Sequence, residues 1–319
     1  MPETALLNEI PSLDIADFLT GRPDQKAKFV QDLGAAFNDI GFVAIKNHGL
    51  TQELRENLYE SAKGFFSQPD EVKQKYEFQE LNGQRGYIGK GREKAKGFKM
   101  ADLKEFYHVG QPEPDADMPA NVFPAENPDF KEYSLQTFQI FEQTGRTLLR
   151  AIALYLELDE DYFEDKVKNG DSVLRALHYF PLNPDLVPDG AVRAAAHGDI
   201  NLITLLMGAS ADGLEVLRRD GKWIAITALP DQIVVNVGDM LDRLTNHKLK
   251  STIHQVVNPA REKMNTSRYS IPFFMHPRAD MNLSCLESCV SAQNPKLYVD
   301  MTAGGFLNER LIELGLKKA

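Results

Sequence analysis

Cysteine, tryptophan and basic charge are all scarce in this chain. Two cysteines among 319 residues, Cys285 and Cys289, cannot build a disulfide framework, which excludes the small stapled secreted class. A reducing, cytoplasmic setting is expected. No run approaches the ~18 consecutive apolar residues of a membrane helix, so no membrane partner is expected. The opening Met1-Pro2-Glu3-Thr4 carries acid rather than base and leads into no apolar stretch, unlike a secretory signal. Thirty-six Lys and Arg face 46 Asp and Glu, a net charge of −10. A general nucleic-acid binder leans the other way, and no nucleic-acid partner is expected. Internal repeats and low-complexity tracts are absent. What is present is ordinary globular material, 43% hydrophobic and 26% charged, which excludes a disordered or fibrous chain.

The pattern along the chain is mixed α and β. Phe29, Val30, Leu33, Ala36, Phe37 and Ile40 recur at helical spacing and predict a helix over 24–40. Gly41 ends it, and Phe42-Val43-Ala44-Ile45 reads as a buried strand. Thr51 is placed to cap a second helix, and Pro69 to open a short third one. Five prolines between 111 and 129 predict an irregular connection, followed by a long helix over 131–157. After Gly170 the character changes. Short runs rich in β-branched and aromatic residues occupy 172–180, 200–207, 214–217, 222–227, 233–237, 252–257 and 268–275, with turn signals between them. This spacing argues for a sandwich or barrel, with helices wrapped around it as one structural unit over 1–319. Within it, 1–170 reads as mainly helical, 171–280 as the β core and 281–319 as a C-terminal segment ending in a helix.

Chemistry concentrates in that β core. In His197-Gly198-Asp199 the two side chains lie two residues apart, on one face of an extended strand. Imidazole nitrogen plus carboxylate oxygen suits a borderline divalent metal, although a simple hydrogen-bonded His–Asp pair has the same sequence. His254 adds weight, since it interrupts the strand pattern of 250–257. Two histidines and one carboxylate from different strands match the facial set of non-haem Fe(II) oxygenases, which leaves half the coordination sphere open. Catalytic zinc accepts the same donors, but usually brings an adjacent base such as His-Glu-x-x-His, and none is present. Fourteen residues further, Arg268 and Ser270 share a strand face and make a carboxylate clamp. The plainer alternative is a salt bridge from Arg268 to an internal acid. Gly83, Gly86, Gly89, Gly91 and Gly97 show no nucleotide-binding spacing and read as a flexible loop. Trp223 reads as a packing residue.

Together, His197-Gly198-Asp199, His254 and Arg268-Tyr269-Ser270 resemble the isopenicillin N synthase-like family of Fe(II)- and 2-oxoglutarate-dependent oxygenases. Ile10-Pro11-Ser12-Leu13-Asp14, Gly41-Phe42 with Asn47-His48-Gly49, and Asn236-Val237-Gly238-Asp239 are similar to other segments of that family. The resemblance runs from about residue 9 to 276. It implies a double-stranded β-helix (jelly-roll) core wrapped by N-terminal and C-terminal helices. It also implies Fe(II) held by His197, Asp199 and His254 as the catalytic centre, with O2 and 2-oxoglutarate as co-substrates. Arg268 and Ser270 would hold the distal carboxylate of 2-oxoglutarate, joined by Tyr179 from the preceding strand segment. The implied activity is hydroxylation, desaturation or ring closure of a small organic molecule.

Two alternatives stay open from sequence. Some members of the family do without 2-oxoglutarate and use the Arg-x-Ser pair for another anion. A non-catalytic metal-binding jelly roll is the other, although it has no need of three open coordination sites. The segment 83–104 carries seven Lys and Arg against only Glu93 and Asp102. Arg85-Gly86-Tyr87 is similar to the segment with which isopenicillin N synthase grips a substrate carboxylate. Arg85, Tyr87 and Lys96 are therefore candidate contacts to an anionic substrate, under a Gly-rich lid. A solvated basic patch is the competing reading.

Overall fold

The computed structural model describes residues 9–93, 101–115, 118–187, 191–208, 212–226, 229, 231–314 and 317. Its strands are β1 (Ser12–Asp14), β2 (Phe42–Lys46), β3 (Gly86–Ile88), β4 (Glu105–Val109), β5 (Val173–Tyr179) and β6 (Ala194–His197). They continue with β7 (Ile203–Met207), β8 (Leu214–Leu217), β9 (Trp223–Ala225), β10 (Gln232–Val237), β11 (His254–Val256) and β12 (Arg268–Met275). The helices are α1 (Ile15–Leu19), α2 (Pro23–Asp39), α3 (Gln52–Phe66), α4 (Asp70–Lys73), α5 (Pro128–Tyr155), α6 (Glu164–Val167), α7 (Asp239–Leu244) and α8 (Ala303–Glu313).

Helix boundaries follow their local signals. Thr51 Oγ1 accepts the Leu54 amide at 3.2 Å and starts α3, and Asn127 caps α5 ahead of Pro128. Gly41 stops α2 with φ +74°, and a Cβ there would lie 2.3 Å from the Lys250 carbonyl oxygen. Only glycine fits that turn. No helix among the described residues is long and apolar enough to cross a membrane.

The strands form two sheets, ordered β1-β2-β10-β7-β12-β5-β4-β3 and β6-β11-β8-β9. From β5 to β12 the chain passes repeatedly between them. All ladders except β1–β2 are antiparallel. One apolar cluster joins the helices to the outer face of the larger sheet, through Leu33, Phe37, Phe138, Leu205, Val235 and Phe273. A second lies between the sheets and holds Phe42, Phe106, Leu177, Val216, Val234 and Val256. Strand alternation explains the division, with Val234 facing one cluster and Val235 the other.

Several sequence expectations are corrected here. Alongside its helices, the stretch before residue 170 supplies four strands to the larger sheet, β3 and β4 being unforeseen. The Gly-rich segment read as a loop contains β3, which pairs with β4. The run expected over 200–207 becomes a strand only from Ile203, while β6 precedes it unpredicted. Trp223 is 37% exposed on the edge strand β9 rather than packed inside.

Candidate active site

His197 ends β6 and His254 begins β11, directly opposite each other across the ladder. The pairing slips by one residue, because His197 and Ala194 face His254 and Val256. The extra residue on β6 re-aims its side chains, as a bulge does. Asp199 follows two residues after β6. One donor atom from each of His197, Asp199 and His254 lies within 4.8 Å of the others. Asp199 Oδ1 is 4.0 Å from His197 Nε2 and 3.7 Å from His254 Nε2.

The remaining atoms of each residue are already occupied. His197 Nδ1 meets the Ala195 carbonyl at 2.7 Å, and His254 Nδ1 meets that of Thr252 at 3.1 Å. A carbonyl can only accept, so Nδ1 carries the proton and Nε2 presents its lone pair to the centre. Asp199 Oδ2 accepts from Thr204 Oγ1 at 2.6 Å and from Asn236 Nδ2 at 2.8 Å, leaving Oδ1 for the centre. Burial and the neighbouring His254 push the His197 pKa down to about 4, so it is neutral at pH 7. Burial alone would raise Asp199. The two imidazoles and the Asn236 and Thr204 hydrogen bonds outweigh it and hold the carboxyl low. Two imidazoles and a carboxylate, all aimed at one point, form a donor set fit for a divalent metal ion. Gly198 permits this crowding, since a Cβ there would sit 2.9 Å from Ser251 Oγ and 3.0 Å from Asp239 Oδ1.

Arg268 is 2% exposed, and its Nε donates to the Asp212 carbonyl at 3.1 Å. It pairs across the ladder with Tyr179, and its guanidinium lies 5.0 Å from the centroid of that ring. Ser270, also buried, shares the Arg268 face. His178 points to the other side of β5, bonded to Glu105 at 2.8 Å and Ser267 at 2.9 Å, with its ring stacked on Tyr269. The sequence thus brings Tyr179 to Arg268 and turns its neighbour away.

A cavity of about 400 Å³ is lined by two members of the triad, His197 and Asp199. Arg85 lines it, buried, with its pKa lowered to about 10 by desolvation against the pull of Asp171. Tyr87 does not reach it. The alternation of β3 sends Tyr87 outward into the helix-facing cluster, where it is 3% exposed and its hydroxyl donates to Glu105. Lys96 lies outside the described residues. Among the described residues of the basic segment, three cations are paired with acids. Lys104 sits 2.7 Å from both Glu93 and Asp102, Arg92 is 2.9 Å from Glu77, and Lys90 is 3.7 Å from Asp70.

Other cavity residues escaped the sequence reading. Arg175 lines the wall, held by His108 at 2.6 Å and by Glu93. His276 lines it too, 8% exposed, with its pKa pushed down to about 4 by burial. Leu307, Leu311 and Leu314 of the C-terminal helical region complete the apolar side. Isolated histidines and arginines carry no spacing that could have flagged them. The β12 alternation, which puts Phe274 in the cavity on the face of Ser270, continues to His276 and was the one available signal.

Comparison with known proteins agrees with this geometry. Residues 10–129 match the family described as non-haem dioxygenase in morphine synthesis N-terminal, and residues 170–277 match the 2OG-Fe(II) oxygenase superfamily. The proline hydroxylase buaE of Petromyces alliaceus is 33% identical over 318 residues, covering 96% of this chain and 99% of its own. A 2OG-Fe(II) oxygenase family protein from Caulobacter crescentus superposes with TM-score 0.83 at 44% identity, over 95% of this chain and 98% of that one. A full-length Neurospora crassa protein, crystallised with α-ketoglutarate and thymine, gives TM-score 0.86 at 31% identity, over 98% of both chains. The chain belongs to the 2OG-Fe(II) oxygenase superfamily and is a non-haem Fe(II)- and 2-oxoglutarate-dependent dioxygenase.

Proposed function

We propose that His197, Asp199 and His254 hold the catalytic Fe(II), and that Arg268, Ser270 and Tyr179 hold the distal carboxylate of 2-oxoglutarate. The observation that carries this reading is the pairing at the triad. Both Nδ1 atoms and Asp199 Oδ2 are committed elsewhere, and the two Nε2 atoms and Oδ1 converge. When bound, Fe(II) with 2-oxoglutarate and O2 supplies the oxidant that removes a hydrogen from the substrate. The chain's own part is positional. Ala195 and Thr252 fix the imidazole orientations, and Thr204 and Asn236 fix the carboxylate. The buried Arg268 offers a planar fork to an anion. Val173, Phe274 and Leu311 line the cavity with apolar surface that restricts water around the reacting group.

The two-sheet architecture is read as a jelly roll, because consecutive strands alternate between facing sheets, and the whole chain as one structural unit. Its substrate is a small organic molecule, as suits an open-mouthed cavity of about 400 Å³ and relatives named for proline hydroxylation or crystallised with thymine. Arg85, a buried cation in the cavity wall, favours an anionic group on that substrate. The two free thiols, Cys285 and Cys289, favour a cytoplasmic location.

The test is metal loading with turnover. The protein should take one Fe(II) per chain. His254→Ala should keep its fold and lose orders of magnitude in substrate-coupled succinate formation. Near-parental turnover in that variant refutes the triad. Once a substrate is found by screening small anions, Arg85→Ala should raise its KM at least several-fold, and an unchanged KM removes Arg85 from the site.

A further inference from the structure

Arg193 immediately precedes β6 and, like Arg268, is 2% exposed, one of the two largest side chains that the fold encloses fully. The two arginines face the same aromatic ring. Arg268 lies 5.0 Å and Arg193 5.9 Å from the centroid of Tyr179. Arg193 Nη2 donates to the Thr266 carbonyl at 2.9 Å, and its Nε is buried with no partner among the described residues. No ion pair joins Arg193 to a carboxylate among those residues. Burial and the like charge of Arg268 lower its pKa.

A guanidinium enclosed without an acid is costly, and a second one nearby raises the cost. A guanidinium so placed as Arg193 persists where an anion joins it. We propose that Arg193 is a second guanidinium for the distal carboxylate of 2-oxoglutarate, gripping it from the four-stranded side while Arg268 grips it from the eight-stranded side. A carboxylate accepts at two oxygens with about four lone-pair sites, so two guanidiniums can share it, one at each oxygen. Arg193 therefore positions the co-substrate and has no part in the bond-breaking chemistry. The inference rests on the reading of Arg268 as anchor.

The test is titration calorimetry on Mn(II)-loaded protein with two ligands, 2-oxoglutarate and 2-oxobutyrate. The second has the same keto-acid end but lacks the distal carboxylate. Arg193→Gln keeps a donor for Thr266 and loses the charge. It should weaken 2-oxoglutarate by about tenfold and leave 2-oxobutyrate unchanged, since one charge-assisted hydrogen bond is worth roughly that factor. Unchanged 2-oxoglutarate affinity overturns the proposal. So does an equal loss for both ligands, which would mean that Arg193 acts only through the fold. Should Arg193→Gln not fold, Arg193→Lys decides, because it keeps the charge but loses the planar fork. A several-fold loss confined to 2-oxoglutarate supports the proposal, and parental affinity refutes it. Arg268→Gln serves as control. If it too leaves 2-oxoglutarate unmoved, the anchor reading itself fails, whereas loss with Arg268→Gln alone refutes only the role of Arg193.

Discussion

Thr204→Val tests whether the metal centre is held by its supporting hydrogen bonds. The Thr204 hydroxyl has one proton and two neighbouring acceptors, Asp199 Oδ2 at 2.6 Å and Asn201 Oδ1 at 3.3 Å. The shorter contact to the charged oxygen takes the proton. Valine matches threonine in shape, removing this donor and also the acceptor of Asn201 Nδ2 at 3.1 Å, which keeps the Ile203 carbonyl at 2.8 Å; Asn236 Nδ2 remains as support of the carboxylate at 2.8 Å. A hydrogen bond to a charged buried group is worth about 1.5–3 kcal/mol. Part of that is lost equally in metal-free and metal-bound protein. About 1–2 kcal/mol should therefore appear as weaker binding, roughly a tenfold rise in the dissociation constant for Mn(II) or Fe(II). Anaerobic titration against a chelating indicator measures it. Thr204→Ser restores the hydroxyl and should restore the affinity. If Thr204→Val binds metal within a factor of two of the parent while folding normally, the second carboxylate oxygen does not orient Asp199, and the reasoning fails.

Arg268→Lys keeps a positive charge but loses the fork, and should raise the apparent KM for 2-oxoglutarate at least several-fold in a succinate-release assay. Ser270→Ala should move it the same way by less, and an unchanged KM in both would detach β12 from the co-substrate. Metal-free protein should lose stability as pH falls from about 6.5 to about 4. His276 is neutral in the folded chain down to about pH 4, whereas an unfolded histidine takes its proton near 6.5. The unfolded state therefore binds more protons across that window, a difference of about 3 kcal/mol for His276 alone. Urea unfolding of His276→Gln should show a correspondingly shallower decline than the parent, and parallel curves would refute it.

How much of this was legible from sequence depended on whether local pattern and tertiary demand agreed. Where both point one way, as in β8, β12 and α2, the boundaries fall at or within a residue of expectation. Where they diverge the reading fails. Ala194-Ala195-Ala196-His197 has no β-branched residue, and its strand exists because β11 pairs with it through a slipped register. Gly86 and its neighbours carry turn chemistry, yet β4 recruits them into the sheet. His197 and Asp199 could be paired from sequence because they sit two apart on one strand face, and the structure brings His254 beside them. Tyr87 faces away from the cavity although it lies two residues from Arg85, because Gly86 between them has φ +76° and breaks the extended alternation, which motif similarity does not show. Arg193 and Arg175 were invisible because an isolated arginine has no pattern until the fold buries it.

The division of labour between the two sheets has a mechanical consequence. His197 and His254 stand on the four-stranded sheet, while Tyr179, Arg268 and Ser270 stand on the eight-stranded one. Between the sheets, apolar packing from residues such as Leu177, Val216 and Val256 is joined by polar links such as Asp199 to Thr204 and Asn236. A co-substrate seated as proposed would become a crossbrace, stiff and charged, spanning two plates packed largely through apolar side chains. Its affinity then reports the gap between the plates. Trimming the filling, as in Val256→Ala, would be felt first as slack in the brace and only later as melting of the fold.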